Sequence, residues 1–194
     1  RNPRSTVGTS TEIYDYLRLL FARAGKTFSP VSGKEVKRDT VEDILKFIDK
    51  LKDKSRLYVL YPVHKHESKT VKQELDNMIQ KGYFRVWNGN EIVDLTRGYD
   101  VKKIKLADLK VVVDRMVFNK GEEEQLQRIA GSLEQAYAEG DGYLILIVET
   151  EQYLSSQPSL PKGEGVKLNS LGKGELFSFN LHLEADGIRF EEPE

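Results

Sequence analysis

Among the 194 residues of this chain, a few groups have the types and spacing for chemistry. Gly25-Lys26-Thr27 has the ending of a phosphate-binding loop, in which backbone N–H groups and a lysine cradle phosphate oxygens. Such a loop needs another glycine five residues earlier, between a strand and a helix, and that position is Leu20 within a helical pattern. A helix C-cap followed by a lysine is the simpler reading. The segment Gly163 to Gly174 fails the same test, because Lys173 is followed by Gly174 and not by a hydroxyl residue. His64, His66 and His182 could in principle offer imidazoles to a metal, but no fourth ligand is evident and ordinary surface histidines are the simpler reading. No serine or threonine is tied by spacing to a base. The residues therefore give no catalytic, cofactor-binding or metal site.

Two surface groups remain. Lys46, Lys50, Lys52, Lys54 and Arg56 form a basic stretch interrupted by Asp49 and Asp53, the pattern of a solvated helix end. Trp87 is the only tryptophan, and Arg85 lies two residues away, on the same face of a strand. Arginine and tryptophan are enriched at interface hot spots, while a lone tryptophan is as readily buried beneath its own domain. Both roles are open to Trp87.

The elements that position these groups follow from hydrophobic periodicity. Ile13, Tyr16, Leu17, Leu20, Phe21 and Ala24 recur at helical spacing until Gly25, behind a capping-box spacing of Thr9 and Glu12. Thr40 with Asp43, and Thr70 with Gln73, open two further helices. Arg56 to Val63 and Leu109 to Phe118 read as strands. Between them Asn88-Gly89 predicts a two-residue hairpin turn that pairs Trp87 with Asn90 and Phe84 with Val93. Phe84, Val86, Val93 and Leu95 then share the face better suited to a core, and Arg85, Trp87, Ile92 and Asp94 share the other. Glu122 to Glu124 begin a helix with the stripe Leu126, Ile129, Ala130, Leu133 and Tyr137. Tyr143 to Val148 lacks alternation, as in a strand covered on both faces. Residues 151–174, rich in proline, glycine and serine, read as a mobile loop, followed by a closing strand pair around Glu175–Leu183 and Ile188–Phe190.

Thirty basic and 31 acidic residues nearly cancel, so no global field favours nucleic acid. There is no cysteine, which excludes thiolate ligation of zinc. No membrane-length apolar run or signal-peptide pattern is present, and a cytoplasmic location is expected.

The segment Arg1-Asn-Pro-Arg-Ser-Thr-Val-Gly-Thr-Ser-Thr11, continued by Glu12 to Arg23, resembles the start of the first signature subdomain of the UvrA family, ATPases of bacterial nucleotide excision repair. Leu57-Tyr-Val-Leu-Tyr-Pro-Val63, Gln80-Lys-Gly-Tyr-Phe-Arg-Val86, Val111-Val-Val-Asp-Arg115 and Ser132-Leu-Glu-Gln-Ala136 follow in the family's order. The likeness covers roughly residues 1–148 and, more weakly, Phe177 to Pro193. It implies an α+β fragment with a mixed or antiparallel sheet, helices packed on it, and an N-terminal amphipathic helix. Residues 1–25 would begin the signature subdomain and 26–150 would be the UvrB-binding insertion. Residues 151–174 would be a flexible loop, and 175–194 closing strands returning to the parent ATPase.

The resemblance further implies a module that docks a UvrB-like partner and lacks ATPase activity of its own. The parent would bind ATP, zinc and damaged DNA and would homodimerise; this fragment would hold no cofactor. The expected partner-binding residues are Lys65, His66, Lys69, Lys72, Arg85, Trp87 and Arg97. The family's basic, glycine-rich loop falls on Lys65 to Val71, where Glu67 and Ser68 dilute its charge. Ser29 and Ser32 stand where many members carry the cysteines of a zinc-type turn, so packing of Phe28 and Val31 is expected to hold that turn instead. Direct DNA binding, with Lys65, Lys69, Lys72 and Arg85 on phosphates, is the alternative. An enzyme built on an apolar pocket with convergent polar groups is a further one.

Overall fold

The computed structural model describes residues 12–63, 70–89, 91–98, 108–149, 166–171 and 174–190. They divide into two compact units, residues 1–38 with 182–194, and Asp39–Leu181.

The larger unit is an α+β fold around one sheet. Its elements are α2 (Val41–Asp49), β3 (Arg56–Pro62), α3 (Val71–Gln80), β4 (Arg85–Trp87), β5 (Ile92–Asp94), β6 (Lys110–Val117), α4 (Glu123–Glu139), β7 (Tyr143–Glu149), β8 (Val166–Leu171) and β9 (Gly174–Asn180). The seven strands run in the order β5-β4-β6-β3-β7-β9-β8, and every neighbouring pair is antiparallel. Both expected capping boxes are present. The Thr40 hydroxyl accepts from Asp43 N at 3.3 Å while the Asp43 carboxylate accepts from Thr40 N, and Thr70 and Gln73 repeat the exchange. Each box satisfies two backbone donors that a helix start leaves without partners.

Amphipathic burial then fixes the helices. Ile44 and Ile48 of α2, Leu75 and Met78 of α3, and Ile129, Leu133, Ala136 and Tyr137 of α4 all enter one core cluster. That cluster rests on Leu57, Val59, Tyr61, Val86, Val111, Leu144, Leu146, Phe177 and Phe179 of the sheet. Phe47 packs at 4.8 Å and 5.9 Å between ring centroids from Phe177 and Phe179. A second cluster, Leu60, Trp87, Val112, Ile145, Ile147 and Leu176, lies on the opposite face. This explains the missing alternation in β7: Leu144, Leu146 and Val148 serve one cluster, and Ile145 and Ile147 the other.

Three expectations need correction. The hairpin pairs Arg85 with Asp94, Val86 with Val93 and Trp87 with Ile92, so its loop spans residues 88–91. Asn88 closes that loop, its side chain accepting from Glu91 N at 2.9 Å and its N–H donating to Glu91 O at 3.1 Å. The slip is of two residues, which leaves each side chain on its expected face. Phe84 is nonetheless 45% exposed, because β4 begins only at Arg85. Residues 166–171, expected within a loop, form the edge strand β8. The segment Gly174–Asn180 pairs with β7 and β8, and not with residues 188–190.

The smaller unit contains α1 (Ile13–Ala24), the antiparallel pair β1 (Thr27–Phe28) and β2 (Glu35–Val36), and the pair β10 (Glu184–Ala185) and β11 (Ile188–Arg189). The helix α1 is where the periodicity predicts it, yet none of its residues is buried. Glu12 is its N-cap and makes no side-chain cap bond; Thr9 lies outside the described residues.

Candidate partner-binding surface

The expected partner-binding residues are not gathered on one face. Lys65, His66 and Lys69 lie outside the described residues. Lys72 is exposed in the first turn of α3, in the helix layer. Arg85 is exposed on the opposite side of β4, with its guanidinium Nε 4.0 Å from the Asp94 carboxylate across the hairpin. Arg97 is exposed at the end of the 3-10 turn Leu95–Arg97. Asp94 caps that turn, accepting from Thr96 N and its hydroxyl at 3.0 and 2.6 Å, and these bonds hold its carboxyl below the usual range. Trp87 is 7% exposed and packed in the second cluster, so of its two open roles burial is the one the structure has. It underlies the hairpin and does not present a free aromatic face.

Sequence reasoning missed a cleft of about 690 Å³ lined by Tyr61, Val63, Glu74, Met78, Lys81, Glu139 and Asp141, among others. Val63 immediately precedes residues 64–69 and α3 follows them, so the cleft lies at the root of the expected docking loop. Tyr61 stacks edge-on against Tyr83 at 5.6 Å, and burial pushes its hydroxyl well above the ordinary range. Lys81 Nζ lies 2.7 Å from Glu139 Oε2, which raises the lysine above its usual value. With Glu74, Glu139 and Asp141 against Lys81, the lining is acidic on balance. Its residues come from separate elements, so no local motif could have announced it.

The other groups resolve simply. Gly25 is the C-cap of α1, its N–H bonded to Phe21 O at 2.8 Å, and Lys26 Nζ lies 3.2 Å from Glu35 Oε1. A helix thus precedes the glycine and a strand follows it, the reverse of a phosphate-binding loop. In the basic stretch, Lys46 pairs with Asp43 at 3.8 Å, Lys50 ends α2, and Lys54 Nζ donates to Asn119 Oδ1 at 2.6 Å. His64 and His66 lie outside the described residues, and His182 Nδ1 is 2.7 Å from Arg189 Nη2. Among the described residues, no group of three or more histidine and carboxylate side chains could hold a metal.

The zinc-type turn is held otherwise than expected. Phe28 and Val31 are 55% and 71% exposed, so their packing does not fix it. Instead Ser29 is buried, its hydroxyl accepting from Val31 N at 3.2 Å and Ser32 N at 3.4 Å, while Gly33 N donates to Ser29 O at 2.9 Å.

A helix-backed antiparallel sheet of seven strands, with its own core, defines an α+β domain. The chain belongs to the UvrA family: residues 39–150 match the UvrA interaction domain, whose first residue is also the first of the larger compact unit. It is 36% identical to UvrABC system protein A of Clostridium tetani over 93% of this chain and 19% of that protein. The corresponding protein of Bacillus subtilis is 35% identical over 93% of the chain and 18% of its own length. That of Helicobacter pylori is 38% identical over 84% and 17%. The chain therefore spans about a fifth of these relatives. Among the described residues no helix is long and apolar enough to cross a membrane.

Proposed function

We propose that this chain is the partner-docking module of a UvrA-type protein, receiving a UvrB-like helicase during nucleotide excision repair, and that it performs no ATP chemistry itself. The observation that carries the reading is the coincidence of the matched interaction domain, beginning at residue 39, with a unit that has its own hydrophobic core. A module with its own core can present variable loops without losing its fold. The docking surface would centre on the segment containing Lys65, His66 and Lys69 and the adjoining exposed Lys72, while Arg85 and Arg97, at the β4–β5 edge of the sheet, would be reached only by a partner that extends around that edge.

The test is a calorimetric titration of the folded chain with the UvrB-like protein of the same organism, at several salt concentrations. Saturable one-to-one binding that is abolished by deleting residues 64–69 supports the reading. Absence of partner binding, together with retention of duplex DNA that falls steeply with salt, would overturn it in favour of phosphate contacts.

A further inference from the structure

In the knuckle formed by the Ser29–Gly33 turn the two serines that stand where the resemblance implies thiolates meet a carboxylate and not a cation. Both serine hydroxyls donate to the same oxygen, Oδ2 of Asp186, that of Ser32 at 2.5 Å. The side chains that would converge on a cation in a two-cysteine turn here converge on an anion. This donor set does not fit zinc: serine hydroxyls are not among its usual protein ligands, and only one carboxylate is present where a structural site uses four strong donors. Two O–H groups pointing at a carboxylate do fit a pair of charge-assisted hydrogen bonds.

We propose that Asp186 is the central anion of a hydrogen-bonded clasp that takes the place of a metal and holds the smaller unit closed only while its carboxylate is ionised. The clasp joins chain segments 154 and 157 residues apart, one preceding the larger unit and one following it. The local geometry is built for it. Asp186 and Gly187, at φ 53° and 75°, form the two-residue turn between β10 and β11, which Ala185–Ile188 and Glu184–Arg189 pairing closes. Aspartate tolerates this left-handed conformation better than most residues. On the opposing hairpin Ser29 N donates to Lys34 O at 2.8 Å, fixing the turn that carries both hydroxyls.

The surrounding charges favour the ionised form. The two hydroxyl bonds, and then the Lys34 cation, hold the Asp186 carboxyl below the usual carboxylate range. Lys26 and Lys37 are turned to Glu35 at 3.2 and 3.3 Å, and on its own hairpin Arg189 faces His182. Glu184 is opposite Arg189, away from the turn. For a depressed carboxyl, the stabilising contribution is present above the unfolded value of 3.8 and is lost as pH falls through the lower folded value.

The experiment is amide hydrogen exchange, followed by NMR in the full chain, on Ser29 and Gly33 of the knuckle and on Leu57 and Leu146 of the larger core. Asp186→Gly removes the carboxylate without straining the turn, and Asp186→Asn keeps an acceptor oxygen without the charge. The glycine variant is expected to lower knuckle protection about tenfold or more while the core amides are unchanged, the asparagine variant to lower it less. Unmodified protein should lose knuckle protection on acidification below pH 3.8 in a step that the asparagine variant lacks, and a chelator should change nothing. Knuckle protection that is lost on chelation, is unaffected by Asp186→Gly, or shows the same acid profile in Asp186→Asn would overturn the clasp.

Discussion

In the larger unit Leu144 to Val148 are all buried, and three helices bury apolar residues in one cluster with the sheet. In the smaller unit α1 leaves Tyr16, Leu20 and Phe21 from 57% to 66% exposed, and its two short strand pairs are joined by a knuckle tied through two hydroxyls to one carboxylate. The first kind of stability is spread over apolar area, is nearly independent of pH, and tolerates change at the rim. The second rests on a few directional bonds to an ionised group. A chain built this way carries most of its buried core in the larger unit and orders the smaller unit through specific contacts.

The comparison breaks most visibly at Trp87. If the second cluster is core, Trp87→Ala should destabilise the larger unit by about 3–5 kcal/mol, as aromatic truncations in packed cores do. Urea unfolding followed by far-UV circular dichroism measures this, since the variant has no tryptophan left to report. A loss under about 1 kcal/mol, with weakened partner binding, would return Trp87 to the role of an interface anchor.

Helix caps give a smaller contrast. Thr40→Ala removes the hydroxyl that accepts from Asp43 N, leaving the backbone N–H of residue 40 to the Asp43 carboxylate, and should lower stability by about 1 kcal/mol. Glu12→Ala, at an N-cap without a side-chain bond, should change it by less than about 0.5 kcal/mol. Equal losses would mean that α1 is as firmly rooted as α2.

These contrasts also mark what was legible in the sequence. Periodicity and cap spacing located α2, α3, α4, β3, β6 and β7, because each is specified by residues within a few positions of one another. The turn dipeptide Asn88-Gly89 did not fix the hairpin register. The Asn88 side chain closes a longer loop, and Val86 opposite Val93 puts two β-branched residues together above the core. The strand β8 was hidden by the turn-rich composition around it, although it pairs with β9, the next strand in the sequence. The acidic cleft and the Asp186 clasp were illegible for a different reason: their members are far apart in the sequence and meet only in the fold.

Partner binding sharpens the division of labour between the units. Arg85→Ala should weaken binding of the UvrB-like protein by about 1 kcal/mol or less, since the guanidinium is half-exposed and already shared with Asp94. Tyr16→Ala, on the exposed face of α1, should leave it unchanged. Titrating both variants in parallel checks this, and a larger effect from Tyr16 would place docking on the smaller unit.

The smallest expected effect is none at all. Magnesium-ATP titrated into the chain should give no heat beyond dilution. A phosphate loop works because successive N–H groups at a helix N-terminus point toward the anion, aided by the positive end of the dipole. Gly25 lies at the other end of α1, where carbonyl groups and the negative end of the dipole disfavour phosphate, and its own N–H is spent on Phe21 O. Lys26, which follows the cap, is engaged by Glu35, whose carboxyl is held below its ordinary range by Lys26 and Lys37. Freeing the lysine with Glu35→Ala therefore should not create binding either, because the backbone still presents acceptors to the phosphates. Micromolar, magnesium-dependent binding in either protein would show that the smaller unit is a nucleotide site in its own right, and the contrast between a docking unit and a clasped joint would no longer hold.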